Sequence, residues 1–305
     1  MAESEAPEFA QGWVNDPQEV EGVVALQPFK TFSDTEAGQF MAASALPENV
    51  YLWDAARKVI GKLLPPRNQG KVGSCVAHGC IRAIEYTQLA EIVSGENEEF
   101  RDLCTEINYG GGRIEVGKGR LGRGDGSIGA WSAEFAKRWG SLDRGVYGKY
   151  DFSVYSEAKC RDYGAKGVPD DLEPEVKKYP ISTITLVKTT EEAKKALAAG
   201  YGISVASGFG FRMTRNANGI CAAAGSWAHQ MCICGYTKID GNTYFRIDNS
   251  WGADSHTGPT GPGNPGPEGF YAAEATVAKM LAEGDSFAYA GQKGFVPRNI
   301  IDWFV

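Results

Sequence analysis

No stretch of this sequence approaches the eighteen or so consecutive apolar residues, roughly five helical turns, that a membrane span needs. The first residues, Met1-Ala2-Glu3-Ser4-Glu5-Ala6-Pro7-Glu8, are acidic where a secretory leader is basic, and no apolar core follows them. Export by the usual route is therefore not expected. Basic runs of more than a few residues are missing too, and the net charge of -7 lacks the electrostatic footprint of a nucleic-acid binder. The seven cysteines are odd in number and scattered without the spacing of a disulfide framework. A reducing compartment is the simpler expectation, cytoplasm or virion, with neither nucleic acid nor membrane as partner.

What remains is an ordinary globular composition, 43% hydrophobic and 23% charged over 305 residues, which suits one large domain or two lobes. Residues 1–46 read as an arm that wraps the domain or docks on a partner. Asn49-Val50-Tyr51-Leu52-Trp53 is a short extended segment. A glycine-punctuated turn, Asn68-Gln69-Gly70-Lys71-Val72-Gly73-Ser74, feeds a helix predicted from Cys75 to about Val93, with Gly95 as its stop. Residues 110–126 hold eight glycines but no strand-to-helix phosphate loop, and read as a mobile loop. Ser127 is predicted to cap a second helix that Gly140 ends. A shorter helix falls near Ser153–Tyr163. Beyond 180 the pattern alternates: strands at 181–187, 203–206, 229–236 and 243–249, a turn at Asp240-Gly241, and a helix at 190–199. A Gly/Pro loop spans 252–269, and another strand starts at Gly269. Helices first and antiparallel strands second predict an α+β fold of two lobes with a cleft between them.

The chemistry centres on Cys75. A thiol in the first turn of a helix faces unpaired N–H groups and the positive end of the dipole, which favour the thiolate. Alone, it reads more readily as a buried structural cysteine. Its candidate partners are far downstream: His229 follows by 154 residues and heads a strand ending Gly235-Tyr236, and Asn249 follows by a further 20 within Asn249-Ser250-Trp251-Gly252.

Arg67-Asn68-Gln69-Gly70, Gly73-Ser74-Cys75, His229 with Gly235-Tyr236, and Asn249-Ser250-Trp251-Gly252 resemble, in order, the blocks of the papain-like cysteine peptidases. The resemblance covers about residues 47–275. It implies a helical lobe at about 65–180 and an antiparallel, barrel-like β lobe at about 181–280, within a catalytic domain of 47–284 followed by a tail at 285–305. It also implies a hydrolase that cleaves peptide bonds through a Cys75 thioester, with no metal and no organic cofactor. His229 would form the ion pair and protonate the leaving amine, and Asn249 would orient its ring. The Gln69 amide and the Cys75 backbone N–H would bind the oxyanion. Trp251 would shield the His–Asn pair, Gly124-Asp125-Gly126 would be the lip that pairs with substrate backbone, and Trp227 would line the specificity pocket or pack in the core.

Some family features are missing. Val72 replaces a common cysteine, Val76 a common aromatic, and the Gly/Pro loop a second Trp-Gly. The region before Gln69 is shorter than the long inhibitory propeptide of secreted members, which suits a bacterial or phage branch. Three other groups are read more plainly. His78 is a helix-surface or core histidine rather than a rival base, Cys232 and Cys234 are small core residues rather than metal ligands, and His256 is solvent-exposed. The alternatives to a peptidase are a cell-wall peptide hydrolase with the same site, or a structural component of a larger assembly. In the latter, the arm and the apolar tail Ile300-Ile301-Asp302-Trp303-Phe304-Val305 would make the contacts.

Overall fold

The computed structural model describes residues 9–298 other than 97, 180 and 292. The chain runs α1 (Pro17–Ala25), α2 (Glu36–Ala42), β1 (Val50–Tyr51), α3 (Trp53–Ile60), α4 (Cys75–Val93), α5 (Thr105–Gly111) and α6 (Gly129–Arg138). A small hairpin, β2 (Val146–Tyr147) and β3 (Tyr150–Asp151), leads to α7 (Glu157–Lys166) and α8 (Glu173–Val176). Then come β4 (Thr183–Leu186), α9 (Thr190–Ala198), β5 (Ile203–Phe211), β6 (Ala223–Ile239) and β7 (Asn242–Asp248), followed by β8 (Gly269–Ala273), α10 (Glu274–Ala282) and β9 (Phe287–Ala290). Helices therefore dominate the first half and an antiparallel sheet the second, as the pattern predicts.

The sheet has seven strands in the order β4-β9-β5-β6-β7-β8, with β1 also paired to β6. It is open, since β4 and β8 end the order without pairing to each other. β9 belongs to residues expected in a tail, yet it lies between β4 and β5 with all four residues buried. The apolar end, residues 300–305, lies outside the described residues. β6 and β7 join at Asp240-Gly241, both with positive φ, the conformation a two-residue hairpin turn requires.

α4 forms the spine. Residues 75–91 are all buried on every face, and the helix packs along β5, β6 and β9 on one side and α3, α5 and α6 on others. The glycine-rich segment departs from the sequence reading. Gly110 and Gly111 complete α5, and Gly112–Val116 continues it as a π turn. They are helical because tertiary packing overrides their propensity: a side chain there would collide with Tyr163 or the Phe135 ring.

The rest of that segment is a loop held by one cation. Arg113, 3% exposed, donates to the carbonyls of Gly122 and Gly124 at 2.7 and 2.6 Å and also to Gly126 O. Removing it strands those acceptors. Arg113→Ala is expected to lower the unfolding free energy by about 2–4 kcal/mol. A urea transition with an unchanged midpoint would contradict that role.

Candidate active site

Two backbone segments are stitched together beside the N-terminus of α4. Gln69 N donates to Ser250 O at 2.8 Å and Gly252 N to Arg67 O at 2.9 Å, so the Gln69 turn and the Asn249 block lie side by side. Gln230 Nε2 donates to Val76 O at 3.1 Å, tying β6, one residue after His229, to the first turn of α4. Residues 154 apart in sequence are thereby brought to facing elements.

His229 is fully buried, and its Nε2 lies 2.8 Å from Asn249 Oδ1, which also accepts from Ser250 N at 2.7 Å. An amide oxygen can only accept, so the imidazole carries its proton on Nε2 and leaves Nδ1 free. His229 Nδ1 has no partner among the described residues. Trp251 stacks on the imidazole at 4.3 Å and 29°. Gln69 Oε1 accepts from Ser250 Oγ at 2.6 Å, which turns its Nε2 outward.

That outward amide is occupied. Gln69 Nε2 donates to Ala10 O at 3.0 Å and to Val72 O at 2.9 Å, and Trp251 Nε1 also donates to Ala10 O at 3.0 Å. Gly12 N and Trp13 N both donate to Ala228 O at 3.0 Å. Val14 N donates to Ser127 O at 2.9 Å, and Ser127 N donates to Gly12 O at 2.7 Å. Phe9 stacks on Trp251 at 5.0 Å. Residues 9–14 of the arm thus lie along the cleft. The Trp13 ring enters a pocket with Cys75, Val76 and Ala206, where its Nε1 donates to Asp285 Oδ2 at 2.8 Å.

Burial inverts the electrostatics expected at Cys75. Its thiol is fully buried and is pushed up to about 12, chiefly by desolvation, although backbone N–H groups of Gln230, Val76 and Gly12 oppose the rise. Desolvation also takes His229 down to about 4, against the Asn249 hydrogen bond. Covered by the arm, both groups are neutral near pH 7, and the helix terminus does not offset the loss of water.

The other expected residues fall in several places. Asp125 Oδ2 accepts from Gly73 N at 3.0 Å, bracing the turn before the cysteine. The backbone that pairs with the arm is Ser127, one residue beyond the Gly124-Asp125-Gly126 lip, while Gly124 O and Gly126 O are taken by Arg113. Trp227 packs edge-on to Trp251 at 4.8 Å and to Phe211 at 5.8 Å. Ser127 does not cap α6. The Asp285 carboxylate accepts from Gly129 N and Ala130 N at 2.7 Å each, so the cap comes from 156 residues downstream. His78 is a core residue, buried against the Tyr155 ring.

His256 is not exposed. It is 3% accessible, and its Nε2 lies 3.2 Å from Asn249 Nδ2. The loop folds inward because Arg215 gathers its carbonyls, donating to His256 O, Gly258 O, Pro267 O and Gly269 O at 2.7–2.9 Å. No periodic signal marked this loop; only the histidine itself hinted at it. Asp285 and Trp13 gave no local signal at all.

A family model described as papain family cysteine protease matches residues 51–259, more than half of the chain. The chain belongs to the papain family. Within it, the chain is 26% identical over 223 residues to the KDEL-tailed cysteine endopeptidase CEP2 of Arabidopsis thaliana, covering 69% of this chain and 52% of that protein. The chain thus spans about half the length of the curated relative it matches. In fold it is similar to xylellain, a cysteine protease from Xylella fastidiosa, with a TM-score of 0.60 at 17% identity over 96% of this chain and 100% of the other. A second neighbour is procathepsin B S9 from Trypanosoma congolense, with a TM-score of 0.59 at 12% identity over 93% and 86%. The papain-like α+β architecture predicted from the four sequence blocks is the one these structures share. Among the described residues, no helix is long and apolar enough to cross a membrane, and all seven cysteines are unpaired and buried.

Proposed function

We propose that this chain is a thiol endopeptidase whose cleft is closed by its own residues 9–14 until that segment leaves. The observation that carries the reading is the Ala10 carbonyl on Gln69 Nε2 at 3.0 Å: a peptide already lies against the group suited to hold an oxyanion. Once the cleft is open, Cys75 attacks a substrate carbonyl as the thiolate and forms a thioester. His229, with Nδ1 free and Nε2 on Asn249, receives the thiol proton and delivers it to the leaving amine. Water, deprotonated by the same imidazole, then releases the acid. Peptides or unfolded proteins are the substrates. Seven unpaired thiols support a reducing setting, cytoplasm or virion.

The pocket vacated by Trp13 ends at Asp285, whose carboxyl burial raises to about 6 against three hydrogen bonds. That value belongs to the covered pocket; with Trp13 gone and water admitted it moves back toward the ordinary carboxylate range. Ionised at neutral pH, Asp285 favours a cationic or N–H-donating substrate side chain there. Preference for arginine over leucine at that position is therefore expected to weaken as acid protonates the carboxylate. In Asp285→Asn it should drop about tenfold at pH 7.5, the equivalent of about 1.4 kcal/mol. A peptide-library profile unchanged by the substitution would remove Asp285 from the pocket.

The reading is tested with denatured casein and the Trp13→Ala chain, alone and combined with Cys75→Ala. Cleavage lost on adding Cys75→Ala is expected. Cleavage that survives it, or none in either protein, overturns the assignment.

A further inference from the structure

Asn249 presents a two-ended amide, and each end must face the right way. Its oxygen has to meet His229 Nε2, because the reversed amide would offer a donor to a donor and turn the ring. Ser250 N holds the oxygen at 2.7 Å. The nitrogen end meets His256 Nε2 at 3.2 Å.

We propose that His256 is a positioning residue for the catalytic histidine, accepting from Asn249 Nδ2 and so fixing the amide orientation that holds His229. The proposal rests on the role given to Asn249 above. Three observations support it. The geometry requires His256 Nε2 to be unprotonated, which leaves the proton on Nδ1, where Cys221 Sγ lies at 3.8 Å. The ring is fixed rather than mobile, seated on Phe270 at 4.8 Å with its backbone clamped by Arg215. Its surroundings also keep it neutral: burial and then the charges of Arg215 and Arg246 hold it down to about 3, against a backbone hydrogen bond at Met213. A charged His256 would turn a second N–H toward Nδ2 and favour the flipped amide.

The loop at 252–269 thus has a task. It delivers an acceptor to the underside of the Asn249 amide, in the stretch where the sequence lacks a second Trp-Gly block. Without that acceptor, Nδ2 is buried and unpaired, and flipping costs less than it does in the native site.

Two measurements test this. In the wild-type chain, which has only three histidines, long-range 1H–15N NMR at pH 6 is expected to find His256 neutral with its proton on Nδ1 and His229 with its proton on Nε2. A His256 protonated on Nε2 overturns the proposal without any variant. In the Trp13→Ala chain, His256→Leu is expected to lower kcat about tenfold with KM unchanged, and His256→Gln, which restores an acceptor, to recover most of the loss. Equal activities for the Leu and Gln variants, or a change confined to KM, overturn it. Asn249→Ala in the same chain separates the two claims. If it leaves activity intact, the role of Asn249 fails. If it lowers activity while His256→Leu does not, only the positioning role fails.

Discussion

Trp13→Ala is expected to raise peptide hydrolysis by the full chain about a hundredfold. The indole is 6% exposed, packed with Cys75, Val76 and Ala206, and bonded to Asp285. Truncating a buried tryptophan costs about 3–5 kcal/mol. Here that cost falls on the closed form alone, because the open form leaves the ring in water. A shift of only about 2.8 kcal/mol already multiplies the open fraction a hundredfold. Gly12→Val should reach the same end by another route. A Cβ on Gly12 would sit inside the contact distance of Gly73 O, which is backbone and cannot step aside. The segment must leave for the valine to fit. Initial rates on a fluorogenic peptide measure both variants, and rates equal to wild type in both would mean that the arm does not gate the cleft.

His229→Ala, placed in the Trp13→Ala chain, is expected to remove about 10²–10⁴-fold of the hydrolysis that release uncovers. The reason is the fate of one proton. In the covered state desolvation holds the thiol at about 12 and the imidazole at about 4, so no proton passes between them at pH 7. Opening the cleft restores water and brings both values back toward their ordinary range. The helix terminus then favours the thiolate, and a neighbouring imidazole can take its proton. Without His229 the thiol keeps its proton until the pH nears its own pKa. The pH–rate profile should therefore lose its neutral plateau and rise only on the alkaline side. A plateau that persists without His229 would assign the base to another group.

The parts of this site that could be read in the sequence are those where one backbone block carries its own partner. Gln69, Cys75, His229 and Asn249 sit in short motifs whose neighbours are fixed by strand and turn geometry, and α4 has the bounds that its spacing predicts. Legibility fails where the partner is distant and unpatterned. Asp285 caps α6 and faces Trp13, across 156 and 272 residues respectively. His256 lies in a loop without periodicity, so exposure was the natural expectation; it is the four carbonyls on Arg215 that bring it inward. The glycines at 110–112 read as a loop by propensity, but they are helical and packed too closely for side chains, Gly110 against the Cβ and backbone of Tyr163 and Gly111 against the Phe135 ring. The barrel-like lobe was legible as antiparallel strands. That the sheet stays open, with β9 inserted between β4 and β5, was not legible, because residues 285–305 were expected as a tail beyond the domain.

The most direct measurement is the rate at which each of the seven cysteines is alkylated by iodoacetamide at pH 6.5, resolved by peptide mass spectrometry. It is made in the wild type, in Gly12→Val, and in Gly12→Val with His229→Ala. The expected result is slow labelling throughout the wild type, fast labelling of Cys75 alone in Gly12→Val, and loss of that fast phase when His229 is removed. Labelling spread over the seven thiols in Gly12→Val, or a fast Cys75 phase already present in the wild type, would contradict a reactive cysteine paired with His229 and covered by the arm.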